Sequence, residues 1–144
     1  MTKPVTPLIT ADVIIEMPLV DDIPIILIDR KYEPYGWAIP GGFVEVGETI
    51  ATAARREALE ETSLEVELDI LLGIYSEPKR DFRGHTACAV FVGNASGKPV
   101  AADDARDIAL FDPFNIDVEM AFDHQQIIQD YCAYRRDGII KLPK

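Results

Sequence analysis

The spacing of one arginine and three glutamates in residues 42–64 suits phosphate chemistry better than it suits folding. The arginine and the first glutamate are Arg56-Glu57, and the other two are Glu60-Glu61. At about 100° per residue, the three glutamates share a helix face roughly 100° wide. Like charges three or four residues apart repel by a few tenths of a kcal/mol per pair. A bound divalent cation would offset that repulsion; the alternative is a face that is merely solvated.

Glu57 and Glu61 lie one helical turn apart, with Glu60 beside them, which is a spacing at which carboxylates can share ions. Mg²⁺ prefers oxygen ligands and is usually shared between one or two carboxylates and substrate phosphates. We therefore predict a site for Mg²⁺, with Mn²⁺ as the alternative ion, at Glu57, Glu60, Glu61 and Gly42, where glycine allows close approach of the backbone to a ligand. Arg56 lies just off this face and offers a fork of donors that would hold a carboxylate in position.

The segment as a whole resembles the Nudix box, whose pattern is G-x5-E-x7-R-E-U-x-E-E-x-G-U with U aliphatic. Gly42 and Glu48 open the match and Leu64 closes it, and Ser63 stands where the pattern has its late glycine. This joint match is far more specific than a lone short motif. A left-handed helix end costs about 1 kcal/mol for a residue with a Cβ. We expect Ser63 to affect local stability rather than chemistry.

This resemblance implies a Nudix pyrophosphohydrolase, which acts on acid anhydrides in phosphorus-containing compounds. Two further stretches are similar to the ADP-ribose pyrophosphatase branch of that family. One is Pro78 with the following RDFRGH, residues 80–85, and the other is AFDH, residues 121–124. We therefore expect Mg-dependent hydrolysis of a nucleoside diphosphate linked to another moiety, most specifically ADP-ribose to AMP and ribose 5-phosphate. Arg56, Glu57 and Glu60 are predicted to be catalytic.

Five side chains outside the box are predicted to bind the substrate. Arg80 and Arg83 belong to a basic loop that would suit a diphosphate, and Arg30 could also meet phosphate. Tyr35 and Trp37 precede the glycine turn, where stacking of a ring on a base contributes about 1–3 kcal/mol. The alternatives are a solvated loop for the arginines and core packing for Trp37.

The residue that takes the proton from the attacking water varies within the Nudix family. It is sometimes a box glutamate and sometimes a carboxylate from a later loop. The later candidates are Asp103, Asp104 and Asp107. Asp107 is favoured because it opens a predicted strand, which would fix its backbone. The alternatives are that all three are solvated turn residues and that the base is Glu57 or Glu60.

Two other functions stay open at this stage. One is a Nudix hydrolase of nucleoside triphosphates or of other nucleotide sugars. The other is a Nudix-like domain that senses ADP-ribose or a similar nucleotide without hydrolysing it. The intact carboxylate set favours an enzyme over a sensor.

The elements that must position these residues alternate between strands and helices. Strands are predicted at 8–16, 23–30, 65–75, 85–92 and 107–111, with a strand–turn–strand unit at 37–45. The box helix should begin at Ile50 after a Thr49 cap and pack through Ala51, Ala54 and Ala58. A second helix is predicted at 122–134, with Ile127, Ile128 and Tyr131 on its buried face. This order indicates an α/β fold with a mixed sheet between helices, and the resemblance implies the Nudix α/β/α sandwich.

The composition sets limits on partners. The chain has 144 residues, which predicts a single domain over 1–144, and the resemblance implies that it is a Nudix hydrolase domain. Its formal net charge of −11 disfavours nucleic acid or an anionic membrane as a partner. The resemblance implies a small nucleotide diphosphate as the substrate. Cys88 and Cys132 are too few and too far apart for a disulfide framework and are expected to be buried thiols. No leader or long apolar run is apparent, so a cytoplasmic location is expected. The resemblance implies a homodimer.

Overall fold

A computed structural model describes residues 2–142 as seven strands and two helices around one sheet. The strands are β1 (Leu8–Glu16), β2 (Ile25–Arg30), β3 (Trp37–Ala38), β4 (Gly41–Phe43), β5 (Glu67–Tyr75), β6 (Thr86–Asn94) and β7 (Ala105–Phe111). The helices are α1 (Ile50–Thr62) and α2 (His124–Asp137). Most predicted boundaries agree to within two residues, and the exception is the end of α2, which lies three residues later. The strand predicted at 23–30 begins later because Asp22 and Ile23 adopt left-handed backbone conformations, with φ of 65° and 45°.

The sheet is mixed, as predicted. Its strand order is β3-β2-β1-β6-β5, with β4 paired to β1 and β7 paired to β2. Only the β1–β6 pair is parallel among the strand pairs of residues 2–142, and the others are antiparallel. The long parallel ladder places β1 in the middle of the sheet, so side chains from β1 reach both faces.

Helix α1 lies on one face of the sheet and begins as predicted. The Thr49 hydroxyl accepts a hydrogen bond from the Thr52 N–H at 3.0 Å, which caps the first turn. Its buried small residues are Ala53, Ala54 and Ala58, which pack against the apolar side chains of β1. Ala51 was predicted in this stripe in place of Ala53, but it is only half-buried. The buried stripe of alanines therefore begins at Ala53 rather than at Ala51.

Helix α2 covers the other face. Ile127, Ile128 and Tyr131 are buried there against Ile14, which confirms the predicted packing face. The Tyr131 hydroxyl donates to Glu16 at the far end of β1. The two faces thus use alternate residues of the same strand, as the period of two in a β-strand requires.

Two further features bear on the site. Strand β1 carries Asp12 on the face covered by α2, where the residue is 6% exposed although its neighbours Ala11 and Val13 are apolar. The loop before β7 runs beside the end of α1, because the Val100 N–H donates to the Thr62 carbonyl at 2.9 Å and the Ala102 N–H to the Glu61 carbonyl at 3.2 Å.

The cysteines and the helices complete the description. Cys88 is buried and Cys132 half-buried, and both are free thiols. In the part of the chain described, neither helix is long and apolar enough to cross a membrane.

Candidate active site

The turn between β3 and β4 brings backbone directly against carboxylates from other elements. A Cβ on Gly42 would lie 2.5 Å from the carboxyl carbon of Glu57, and a Cβ on Gly41 would lie 1.8 Å from Oδ1 of Asp12. Real Cβ atoms do not approach other atoms so closely. The Gly41 N–H also donates to Oε2 of Glu61 at 3.3 Å. Two glycines therefore allow the turn to lie on three carboxylates, which a larger residue would displace.

Arg56 organises the outer part of the carboxylate cluster. It binds Glu48 through Nη2 at 2.6 Å and through Nε at 3.1 Å, which is a bidentate pair. Its Nη1 donates to Glu57 at 3.0 Å and to Glu60 at 3.3 Å, and its Nη2 donates to the Phe43 carbonyl at 3.1 Å. The hydrogen bond from Arg56 lowers the pKa of Glu48, and its reciprocal effect raises the pKa of Arg56. The geometry is that of a guanidinium holding carboxylates in position.

Glu61 is the most deeply buried of the box carboxylates. Its side chain is enclosed, with 2% of the residue exposed. Burial raises its pKa to about 9, and the negative charge of Glu57 acts in the same direction. The hydrogen bond from the Gly41 N–H opposes this shift without cancelling it. Without a cation Glu61 therefore holds a proton at neutral pH, and a cation at this position would replace that proton.

Glu57 is less buried than Glu61, and it lies between the attractive charge of Arg56 and the repulsive charge of Glu60. Burial raises its pKa, and the hydrogen bond from Arg56 counteracts part of that effect. Its carboxylate lines a cleft together with Gly41 and Gly42. Glu60 is more open, with 42% of its side chain exposed. The depth of the three carboxylates therefore increases from Glu60 through Glu57 to Glu61.

This donor set fits a hard divalent cation. It consists of the carboxyl oxygens of Glu57, Glu60 and Glu61. The backbone of Gly42 can lie close to Glu57 because glycine has no Cβ. Within residues 2–142, no three acidic, histidine or cysteine side chains already surround a common point as a completed metal site. Arg56 donates hydrogen bonds to both Glu57 and Glu60.

A cationic wall faces the same cleft. Arg30, Arg80 and Arg83 all line it, so the structure brings three of the five predicted substrate residues together. The guanidinium carbons of Arg30 and Arg83 lie 4.9 and 5.2 Å from the centre of the Phe122 ring. Among the described residues, the hydrogen-bond acceptors of Arg30 are main-chain carbonyls, of which Pro34 is the nearest at 2.8 Å. This wall supplies local positive charge in a chain whose net charge is −11.

Arg80 differs from the other two arginines because its guanidinium is already engaged. It forms a bidentate pair with Asp123 at 2.7 and 3.0 Å and donates to the Thr86 hydroxyl at 2.8 Å. Its side chain is 4% exposed. Arg80 therefore connects the basic loop to the start of α2, and its buried guanidinium contributes positive charge to the cleft lining.

The buried floor of the cleft contains residues that were not predicted. His124 Nδ1 accepts a hydrogen bond from the Ile39 N–H at 3.0 Å, so the ring proton of the neutral tautomer is on Nε2, 3.3 Å from Oδ2 of Asp12. Thr10 and Thr86 are also buried polar residues on this floor. The signal in the sequence was a charged residue, Asp12, between the apolar residues Ala11 and Val13. It was missed because one sequence cannot show which face of the strand carries it.

The two predicted stacking residues lie outside this cleft. Trp37 packs edge-on against Phe111, with ring centres 5.1 Å apart, in the core beneath α2. Tyr35 is 61% exposed and is not part of the cleft lining. The core-packing alternative considered for Trp37 is therefore the arrangement in the structure. Phe43 and Phe122 are the aromatic residues that line the cleft itself.

The candidate bases are also distributed differently from the expectation. Asp104 lines the cleft and lies close enough to Glu61 and Arg30 for their charges to interact. Asp103 interacts with the charge of Glu57 and has a left-handed backbone, with φ of 54°. Asp107, which the sequence favoured, is outside the lining, and its carboxylate accepts the N–H of Ile108 at 2.8 Å. The contact of the loop with α1 explains why Asp104 reaches the carboxylates.

Comparisons with known proteins agree with this arrangement. The model of the NUDIX domain family matches residues 9–131. An ADP-ribose pyrophosphatase from Methanocaldococcus jannaschii is 44% identical over 132 residues, covering 90% of this chain and 75% of that protein.

Two solved structures are similar to the fold. A NUDIX hydrolase from Nitrosomonas europaea superposes with a TM-score of 0.82 at 24% identity, covering 98% of this chain and 80% of that one, which shows the fold alone. A bifunctional NMN adenylyltransferase/ADP ribose pyrophosphatase from Francisella tularensis, in complex with AMP and a Mn ion, has a TM-score of 0.68 at 30% identity. That match covers 91% of this chain but only 42% of the bifunctional protein.

Proposed function

This chain belongs to the Nudix family of pyrophosphohydrolases, and we propose that it hydrolyses ADP-ribose to AMP and ribose 5-phosphate with the help of a divalent cation. The observation that carries the proposal is that one cleft is lined both by Glu57, which lies against the glycine turn, and by three arginines, Arg30, Arg80 and Arg83. Carboxylates suit a cation, and guanidinium groups suit the oxygens of a diphosphate. The similarity to the archaeal ADP-ribose pyrophosphatase supports the choice of substrate.

Glu57 and Glu61, with Glu60 at the outer edge, would hold Mg²⁺ or Mn²⁺ together with the backbone at Gly42. The bound ion supplies charge neutralisation for the diphosphate oxygens and lowers the pKa of a coordinated water. The chain's own residues do the rest. Arg56 keeps Glu57 and Glu60 aligned, as its hydrogen bonds to both already do.

Arg30 and Arg83 would bind the diphosphate from the opposite side of the cleft. Water attacks one phosphorus in line, the bridging P–O bond breaks, and the other phosphate ester leaves with the bridging oxygen. We propose Asp104 as the group that accepts the proton from the attacking water. Asp104 takes precedence over Asp107 because Asp104 lines the cleft and Asp107 does not.

The test is a substrate panel with the purified chain, Mg²⁺ or Mn²⁺, and equal concentrations of nucleotides. The panel contains ADP-ribose, other nucleotide sugars, dinucleotides, nucleoside triphosphates and an 8-oxo nucleotide. We expect the highest kcat/KM for ADP-ribose. A far better triphosphate or 8-oxo nucleotide would contradict the substrate assignment, and tight binding of ADP-ribose without turnover would favour the sensor.

Three further expectations belong to the same proposal: Mg²⁺ as the preferred ion, which the carboxylates predict, a homodimer in solution, which the family resemblance implies, and a cytoplasmic location. The first is tested by activity with each metal after chelation, and the second by light scattering of the purified chain. Fractionation of the source cells tests the third.

A further inference from the structure

The residues that connect the sheet to α2 have an unusual conformation at the edge of the cleft. Phe122 has a left-handed backbone, with φ of 54°. This region is uncommon for residues other than glycine, asparagine and aspartate, and it is strained for an aromatic residue. Phe122 belongs to the stretch AFDH, residues 121–124, and it has no role in the catalytic steps proposed for the carboxylates and Asp104.

The strained conformation is fixed from both sides. Before it, the Ala121 N–H donates to the Trp37 carbonyl at 2.8 Å. After it, His124 is buried and its ring accepts the Ile39 N–H at 3.0 Å. Asp123 is held by its bidentate pair with Arg80. Strain of this kind persists only where the surroundings determine the conformation, and such positions are concentrated at functional sites.

The strained backbone places the Phe122 ring in the cleft beside two guanidinium groups. The carbon Cζ of Arg30 is 4.9 Å from the ring centre, and that of Arg83 is 5.2 Å away. Burial foremost, and then the charge of Arg83, lower the pKa of Arg30, so the two cations are close enough to repel. The negative face of an aromatic ring attracts a guanidinium within about 6 Å of its centre. The ring thus offsets the repulsion between the two arginines.

Both arginines also keep donors available. Asp81 accepts from Nε and Nη2 of Arg83, and the carbonyl oxygens of Glu33 and Pro34 accept from Nη2 and Nε of Arg30. Among the hydrogen bonds made within residues 2–142, none uses Nη1 of either arginine. A pair of oriented guanidinium groups with free donors matches the oxygens of two linked phosphates.

We propose that Phe122 is a positioning residue that sets the affinity for the substrate diphosphate by holding Arg30 and Arg83 together in the cleft. This inference rests on the proposed function, because it assumes that a diphosphate occupies the cleft. Phe122 does not act on the reacting atoms, so its removal changes binding and leaves the chemical step intact. The competing explanation is that the ring only packs against its neighbours.

The experiment compares Phe122→Leu, which removes the ring but keeps apolar volume, with Phe122→Tyr, which keeps the ring. Phe122→Leu should raise KM for ADP-ribose about fivefold to thirtyfold, equivalent to about 1–2 kcal/mol, the size of one or two cation–π contacts. Its kcat should stay within about twofold of wild type, because the lost interaction is made equally in the ground and transition states. Phe122→Tyr keeps the ring, so its KM should stay close to that of wild type. Affinity for Mn²⁺ alone should not change.

A matched control exists outside the cleft. Phe114 lies under the guanidinium of Arg135, with Cζ 5.5 Å from the ring centre, and it does not line the cleft. Phe114→Leu therefore removes the same kind of contact and should leave KM unchanged. In a double-mutant cycle, Phe122→Leu and Arg83→Met should together raise KM by less than the product of their separate effects.

Calorimetric titration of wild type with ADP-ribose and with inorganic pyrophosphate, without added metal, separates this inference from the proposed function. If wild type neither binds nor hydrolyses ADP-ribose, the proposed function fails, and the variants are compared with the best nucleotide of the panel. An unchanged KM in Phe122→Leu, a Tyr variant as impaired as the Leu variant, or fully multiplicative effects with Arg83→Met would overturn the role of Phe122. If the melting curve shows that Phe122→Leu does not fold, Phe122→Met takes its place. The KM of Phe122→Met is then compared with that of Phe122→Tyr, and the same results would overturn the role of Phe122.

Discussion

Replacing Glu61 with glutamine tests whether this buried carboxylate belongs to a cation site or to the fold. In the unfolded chain the Glu61 carboxyl has its ordinary pKa of 4.5, whereas in the folded protein without metal it keeps its proton until about pH 9. Between these values the folded state binds more protons than the unfolded state, so the free energy of unfolding falls as pH rises. Glutamine resembles the protonated acid and carries no such penalty.

The magnitude follows from that difference. At pH 7.5 the group lies about 3 pH units above its unfolded pKa, and about 1.4 kcal/mol per unit gives an upper bound of about 4 kcal/mol. We expect Glu61→Gln to stabilise the metal-free protein by on the order of 2–4 kcal/mol at pH 7.5. At pH 5 the same calculation gives a stabilisation by Glu61→Gln of less than about 1 kcal/mol.

The assay is denaturant unfolding in a chelator at pH 5 and pH 7.5, followed by the same measurements and turnover assays in excess Mg²⁺. Glu60→Gln is the matched control, because Glu60 is largely open and should change stability by at most about 0.5 kcal/mol. Excess Mg²⁺ should increase the free energy of unfolding of wild type. In the same buffer the turnover of Glu61→Gln should be lower than that of wild type by orders of magnitude. A glutamine variant that is no more stable at pH 7.5, or whose advantage does not depend on pH, would mean that Glu61 is not held as a buried acid.

Three further predictions concern the arginines, the base and the helix end. Arg83→Ala should raise KM and leave metal affinity unchanged, which titrations with substrate and with Mn²⁺ can show. Arg80→Ala should instead destabilise the fold by about 3–5 kcal/mol in denaturant unfolding, because it leaves the Asp123 carboxylate without its buried partner. Asp104→Asn should reduce kcat by about 10²–10⁴, while Asp107→Asn stays within a few-fold; the reverse order in steady-state assays would restore Asp107 as the base. Ser63→Gly should change the melting temperature only slightly upward, because relief of the left-handed backbone, with φ of 64°, is partly offset by loss of the hydrogen bond to the Val100 carbonyl; a clear drop would contradict this.

The sequence predicted most of the fold because its patterns are local. The Thr49 cap and the left-handed Ser63 define both ends of α1, and the structure confirms both. The buried face of α2 followed from the spacing of Ile127, Ile128 and Tyr131. The predicted alanine stripe differs at one position, since a helix can rotate by a fraction of a turn without changing its sequence pattern.

The cleft was less predictable because its walls come from parts of the chain that are far apart. Asp12 and His124 meet across the interior, and no spacing in the sequence indicates that contact. The loop before β7 brings Asp104 rather than Asp107 to the carboxylates because its backbone bonds to the end of α1. Trp37 was assigned to substrate because of its position before the glycine turn, whereas the strand directs its ring to the core.

Identification of the products of ADP-ribose by ³¹P NMR, with wild type and Glu61→Gln in Mg²⁺ and in chelator, examines the reaction and the cation site together. We predict AMP and ribose 5-phosphate in equal amounts, formed by wild type only when the divalent cation is present and at a rate lower by orders of magnitude in Glu61→Gln. Equal rates in the two proteins, or product formation by wild type in the chelator, would contradict a cation site at the box carboxylates.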